Sequence, residues 1–254
     1  MEVINSIQTW QILRQKIDPQ LSIGFVPTMG CLHQGHGSLI EKSVKENDIT
    51  ILSIFINPTQ FNDESDFKNY PKTIENDLAL AKNLGVDYVL MPDQSEFYPN
   101  GYQFKLTSTH PLSIQMEGKH RPGHFDGVLT IVMKLLQLAK ANFAYFGEKD
   151  FQQLELIRLM AADFFLETQI IGCPTIREQS GLALSSRNTR LTKEQRKTAD
   201  QFAAIFTENK NNQEKILNEF SQLNLNLEYL EQYENRLLTA VKINDIRLID
   251  NVKI

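Results

Sequence analysis

Side chains able to do chemistry are densest between Phe25 and His36, in the run Phe25-Val26-Pro27-Thr28-Met29-Gly30-Cys31-Leu32-His33-Gln34-Gly35-His36. The apolar stretch Ile23–Val26 reads as a buried strand, and the amphipathic stretch Ser38–Asn47 reads as a helix. Both histidines therefore fall on a turn and the first helical residues. Free backbone N–H groups and the positive end of the helix dipole attract anions there. Gly30 and Gly35 leave room for a ligand to approach the backbone. Two imidazoles can add hydrogen bonds to a phosphate already favoured by the helix end. The pattern is a nucleotide site without the Lys-Ser/Thr ending of a P-loop. His-x-x-His at a helix start also occurs as a solvated cap or as half of a zinc site. Zinc needs three or four ligands, and Cys31, Cys173 and the other histidines offer no paired spacing.

Four further polar clusters follow expected strands or open expected helices. They are Asn57–Asn62, Gly147–Gln153, Ser180–Asn188 and Glu117–Phe125. Taken singly, each reads as a turn, a helix cap or a loop with hydroxyls bonded to their own backbone. Taken together, they lie where open α/β sheets bind ligands, at the carboxyl ends of strands. They supply complementary groups: cations at Lys149 and Arg187, hydroxyls at Ser185 and Ser186, amides at Gln60 and Gln153.

The elements that must position these groups alternate. Ile7, Trp10, Leu13 and Ile17 mark a first helix ended by Asp18-Pro19. Strands are expected at Ile23–Val26, Ile49–Ile56, Val86–Met91, Phe143–Phe146 and Thr168–Gly172. Helices fall between them at Ser38–Asn47, Thr73–Leu84, Val128–Ala139 and Phe151–Ala162. Such alternation implies right-handed βαβ units and a parallel sheet. After Pro174 the pattern changes to helices at Thr192–Asn209 and Gln213–Gln222, then strands at Leu225–Tyr233 and Ile246–Ile254. The expected division is residues 1–174 and 175–254, a Rossmann-like doubly wound parallel sheet with a small α+β C-terminal domain.

Bulk properties narrow the function. A net charge of −5 argues against a nucleic-acid binder working through a general basic surface. Two distant cysteines give no disulfide framework and suit a reducing compartment. No apolar run approaches membrane-spanning length, and Met1-Glu2-Val3-Ile4-Asn5 lacks the basic and apolar regions of a signal peptide. The expectation is a cytoplasmic protein with neither nucleic acid nor membrane as partner.

With these clusters in view, the chain resembles the pantoate–β-alanine ligases, a family of the nucleotidyltransferase superfamily, which shares His-x-Gly-His with class I aminoacyl-tRNA synthetases. The resemblance spans nearly the whole chain. Its marks are Pro27-Thr28-Met29-Gly30 with Leu32–His36, Phe55–Phe61, Tyr70–Thr73, Arg121–Phe125, Phe146–Asp150 with Gln152-Gln153, Ser185–Asn188 and Arg247–Asn251. Gln60 in Asn-Pro-x-Gln-Phe and Gln153 after Glu148-Lys149-Asp150 are the marks most specific to the family.

The resemblance implies that ATP and pantoate form pantoyl adenylate, which β-alanine then converts to pantothenate and AMP. It assigns ATP to Met29, Gly30, Cys31, Leu32, His33, Gln34, Gly35, His36, Gly147, Glu148, Lys149, Asp150, Ile176, Leu184, Ser185, Ser186 and Arg187. It makes His36, a proton donor in the family, with His33 and Lys149 the catalytic groups. Gln60 and Gln153 hold pantoate, Gln60 also meets β-alanine, and Asp77 is a contact for the Mg²⁺ that accompanies ATP. A homodimer with a C-terminal lid is also implied. Leu184 departs from the usual methionine, Ser180 from an aspartate and Lys72 from an arginine, and the acidic run near Thr73 is reduced to Glu75-Asn76-Asp77. Two other readings compete: a nucleotidyltransferase for a phosphorylated substrate, which calls for extra cations, and a non-enzymatic nucleotide binder, which calls for eroded histidines.

Overall fold

The computed structural model describes residues 1–62 and 64–254. Six strands form one sheet in the order β1-β4-β3-β2-β5-β6. They are β1 (Glu2–Ile4), β2 (Ile23–Thr28), β3 (Ile49–Ile54), β4 (Tyr88–Leu90), β5 (Phe143–Gly147) and β6 (Gln169–Cys173), and every pairing is parallel. The intervening helices are α1 (Ile7–Arg14), α2 (Gln34–Glu46), α3 (Glu64–Lys68), α4 (Ile74–Asn83), α5 (Gln94–Phe97), α6 (Glu117–His120), α7 (His124–Ala139) and α8 (Phe151–Asp163). The chain steps outward from β2 through β3 to β4, then crosses back to β5 and β6. The strand order therefore reverses between β2 and β5, the switch point at which doubly wound sheets hold ligands.

β2 and β3 read as continuous apolar runs because both faces are covered, as parallel sheets require. Val26 and Leu52 from the sheet pack with Leu39 and Ile40 of α2 and Ala81 of α4. α2 begins at Gln34, earlier than its apolar periodicity indicates, because His33 caps it. β1 pairs with β4 but is too short to show periodicity. β3 stops at Ile54, before the loop that ends in Asn57-Pro58.

Contacts divide the chain into two units. One comprises residues 1–147 and 152–173, the other residues 148–151 and 174–254. Where the sequence places a single boundary after residue 174, the contacts place it after Cys173 and also give Glu148–Phe151 to the second unit.

The second unit is an antiparallel meander of β7 (Asn226–Tyr233), β8 (Arg236–Ile243) and β9 (Ile246–Lys253), with helices α9 (Lys193–Glu208) and α10 (Gln213–Phe220). β8 escapes sequence reading because a central strand buried on both faces shows no polar alternation. Thr192 and Gln195 form a capping box that starts α9. Ala199, Phe202, Ala203 and Phe206 then fall on one helical face and meet Ile216, Phe220, Leu237 and Val241 in a core. Each fully buried phenylalanine there contributes roughly 1.5–3 kcal/mol.

Candidate active site

The β2–α2 loop is built around a carboxylate supplied from elsewhere. Gly30 (φ 79°) and Cys31 (φ 50°) both take left-handed backbone conformations. Such a conformation costs a non-glycine residue on the order of 1–3 kcal/mol and persists only when surroundings enforce it. Asp77 of α4, 2% exposed, does the enforcing. Its Oδ2 accepts the Cys31 N–H at 2.9 Å, and its Oδ1 accepts the Leu32 N–H at 2.8 Å and the Thr73 hydroxyl at 3.0 Å. A Cβ at position 30 would stand 3.0 Å from Asp77 Oδ2, so glycine suits both the angle and the space. Asp77, expected as a Mg²⁺ contact, thus holds two backbone N–H groups and a hydroxyl with its buried oxygens. Among the described residues, no group of three or more His, Cys, Asp or Glu side chains is placed to hold a metal ion.

The two histidines serve the same helix start. His33 is the N-cap of α2, and its Nδ1 accepts the Gly35 N–H at 3.1 Å. His36 Nδ1 accepts the His33 N–H at 3.3 Å, completing a reciprocal cap. An Nδ1 that accepts cannot carry the proton, so each neutral ring holds its proton on Nε2. The ring centroids lie 4.1 Å apart. The arrangement is a pair of N–H donors at the positive end of a helix, suited to phosphate oxygens.

Gln60 is held with its amide orientation defined. Its Oε1 accepts from Asn57 Nδ2 at 3.1 Å, and its Nε2 donates to Met29 Sδ at 3.0 Å. The buried Asn57 is in turn fixed by the Tyr98 and Thr59 hydroxyls and by the Gly127 carbonyl. Burial raises the Tyr98 pKa, which keeps its phenol a donor. His124 and Arg121 both bond the Gln60 carbonyl, at 2.7 and 3.2 Å. Gly127 lets α7 approach the Gln60 loop, since a Cβ there would lie 2.3 Å from the Thr59 carbonyl oxygen. The Arg121–His124 cluster thus supports Gln60 from behind. Its neighbour in α8, Gln152, is structural: buried, it bonds the Glu117 N–H and the Leu112 and Gln115 carbonyls. Gln153 is half-buried.

Gly147 closes β5 in the first unit, and the second unit carries the other expected ATP residues after it. Lys149 Nζ lies 3.7 Å from Asp150 Oδ1. The Leu184 N–H donates to the Ile176 carbonyl at 3.0 Å. Ser185 caps a 3₁₀ turn over Ser186–Arg190, its Oγ accepting the Arg187 N–H at 3.3 Å. Ser186 is buried, and Arg187 is half-buried beside it in sequence. The structure thus gathers Met29, Gly30, His33, His36 and Gln60 in the first unit, and groups Ile176 with Leu184 and Ser185 with Arg187 in the second. Sequence reading gave Asn57 no role of its own within its cluster and did not show that Asp77 holds the β2–α2 loop. Asn57-Pro58 opening a polar cluster was the available signal for the former.

A parallel sheet with its switch point beside a histidine-capped helix start defines an α/β protein of the nucleotide-binding class. The pantoate-beta-alanine ligase family profile matches residues 2–253, and the chain belongs to that family. It is 51% identical over 251 residues to pantothenate synthetase of Legionella pneumophila (strain Corby), covering 99% of each chain. It is also 51% identical to the enzyme of Coxiella burnetii (strain RSA 331 / Henzerling II), covering 99% of this chain and 96% of that one. A crystal structure of pantoate-beta-alanine ligase from Francisella tularensis, complexed with beta-gamma ATP and β-alanine, matches with a TM-score of 0.96 at 42% identity, covering 100% and 97%. Pantothenate synthetase of Thermus thermophilus matches with a TM-score of 0.92 at 34% identity, covering 100% and 99%. The protein is an ATP-dependent ligase that joins pantoate to β-alanine.

Proposed function

We propose that the ligation runs through pantoyl adenylate. Pantoate's carboxylate oxygen attacks the α-phosphorus of ATP, the bond to the bridging oxygen breaks, and pyrophosphate leaves. The carboxylate is already ionised, so this step needs alignment and charge stabilisation rather than a general base. The β-alanine amine then attacks the acyl carbon, AMP leaves, and the amine gives up a proton to yield the amide. The observation that supports this reading most is the reciprocal cap, which sets both imidazoles at the start of α2 with their Nδ1 atoms accepting and their Nε2 atoms carrying the proton.

In this reading Met29–His36, Gly147–Asp150, Ile176 and Leu184–Arg187 bind ATP, and His33, His36 and Lys149 stabilise charge spreading over the phosphates. Gln60 and Gln153 hold pantoate by uncharged amides, which bind its oxygens without neutralising the nucleophile; Gln60 also meets β-alanine. Mg²⁺ enters with ATP, whose phosphates and waters supply most of its ligands. We place the enzyme in the cytoplasm as a homodimer, on family likeness. Among the described residues, no helix is long and apolar enough to cross a membrane.

Incubation with ATP, Mg²⁺ and pantoate alone tests the intermediate. The expected result is ATP–pyrophosphate exchange without β-alanine, and AMP release on adding it. Exchange that requires β-alanine would overturn the two-step route, and better use of lactate or a nucleoside monophosphate than of pantoate would overturn the substrate assignment. Sedimentation velocity reads the dimer directly.

A further inference from the structure

The turn Glu148–Asp150 follows β5 in the chain, yet its contacts are made with β9. Asn251, 2% exposed, is the reason. Its Nδ2 donates to the carbonyls of both Glu148 and Lys149, at 2.8 and 2.9 Å. Its Oδ1 accepts from Arg236 Nη1 at 2.6 Å. Arg236 also pairs with the Glu148 carboxylate and lies 4.4 Å over the Phe151 ring, so it grips the turn on either side of Lys149.

Asn251 is itself braced. Its N–H donates to Asp250 Oδ1 at 2.7 Å, and its carbonyl accepts from Arg177 Nη2 at 3.0 Å. Arg177 in turn holds the Asp250 carboxylate with both terminal nitrogens, at 2.7 and 2.8 Å. The site requires two donors aimed at carbonyl oxygens and one acceptor aimed at a guanidinium, all from one short side chain. A carboxamide of this length meets that demand. A carboxylate would set an anion against two carbonyl oxygens.

We propose that Asn251, braced by Arg236, is a positioning residue for Lys149. By fixing the peptide carbonyls of Glu148 and Lys149, it sets where the lysine backbone sits and hence where its ammonium reaches. The inference rests on the proposed role of Lys149 in adenylation and adds the residue through which that role is maintained. A misplacement on the order of 1 Å in a charge-stabilising group costs roughly 10²-fold in rate.

The test is a double-mutant cycle on the full-length protein, read by ATP–pyrophosphate exchange with pantoate. Asn251→Asp keeps the shape and the acceptor for Arg236 but removes the donors. Alone, it is expected to lower the exchange kcat by about 10- to 100-fold with little change in pantoate KM. In the Lys149→Ala background it is expected to cost less than about 2-fold further, since a residue acting through Lys149 has nothing left to act on. Equal losses in both backgrounds, or exchange within about 2-fold of wild type for Asn251→Asp alone, would overturn the proposal. Full activity of Lys149→Ala by itself would instead overturn the reading of Lys149, and the positioning role with it. Should Asn251→Asp not fold, Asn251→Ser removes the amide without adding charge and is read in the same two backgrounds by the same criteria.

Discussion

His33 and His36 cap one helix reciprocally, each accepting a backbone N–H at its Nδ1 at the start of α2. The same bonds put the proton of each neutral ring on Nε2, so in the proposed function helix initiation and anion binding fall to opposite nitrogens of the same rings. The two roles separate by substitution. His33→Asn retains one of the best N-cap residues and is expected to keep stability within about 0.5 kcal/mol of wild type. Its kcat should nevertheless fall roughly 10²-fold, as is typical of removing one electrostatic donor. His36→Ala should lower kcat far more than it weakens ATP binding, since a donor to developing charge acts most in the transition state. Urea denaturation and initial rates check both variants. An unchanged kcat with a raised ATP KM would make the ring a plain binding group.

Asp77 is predicted to act on the loop rather than on a metal. Asp77→Asn places an NH₂ against one of the N–H groups that its oxygens now receive. An unsatisfied buried group costs about 1–3 kcal/mol, and the left-handed Cys31 backbone loses its support. The expected result is reduced stability and lower kcat, with the Mg²⁺ concentration for half-maximal activity unchanged. A raised Mg²⁺ requirement with wild-type stability would return Asp77 to the metal.

How far the site could be read without coordinates follows from how locally each part is encoded. The β2–α2 turn was legible because its apolar run, glycines and polar cap residues are consecutive, and the family was legible in the short motifs that hold Gln60 and Gln153. The clamp on that turn was not. Nothing near Asp77 signals that a helical aspartate meets the N–H groups of Cys31 and Leu32, because that pairing exists only once α4 packs beside the sheet. Asn251 presents the same difficulty at greater separation, since its partners at Glu148 and Lys149 are met only through the meander. The parallel sheet itself was visible from alternation. β8 was hidden by being buried on both faces, and β1 by having three residues.

The meander contains a charge knot with a calculable pH dependence. Glu228 on β7 accepts from Lys242 of β8 at 3.0 Å and from Arg247 of β9 at 2.8 Å, joining all three strands. Burial alone would raise its pKa, but the hydrogen bonds from Lys242 and Arg247, with their charges, outweigh it and hold the carboxyl below its ordinary value. A carboxyl with a lower pKa folded than unfolded contributes stability above its unfolded value, near ~4.3. That contribution is lost as pH falls through the folded value. Glu228→Gln should therefore cost on the order of 1–3 kcal/mol at pH 7. The gap between wild type and variant should close on acidification below about pH 4. Denaturant titrations across pH 3–7, of the order spanned by these pKa values, measure it. A gap that stays constant would mean the pair contributes through packing alone.

The amide of Gln60 makes the last prediction directional. Its Nε2 spends one N–H on Met29 Sδ and has a second to offer the carboxylate of a hydroxy acid, which an acceptor such as Oε1 cannot bind. Gln60→Glu keeps the size but presents an anion to pantoate's carboxylate, so it should impair pantoate use more than Gln60→Ala does. Gln153→Ala should raise the pantoate requirement while leaving ATP binding nearly intact. Lys149→Ala should do the converse, impairing ATP use or adenylation. A hydrogen bond to a charged group contributes about 1.5–3 kcal/mol, which corresponds to a roughly 10- to 100-fold loss in kcat/KM for pantoate. ATP and pantoate titrated separately against each variant, by calorimetry and by initial rates, distinguish the cases. Equal weakening of both ligands by Gln153→Ala, or a milder effect of Gln60→Glu than of Gln60→Ala, would show that these amides do not read the hydroxy acid.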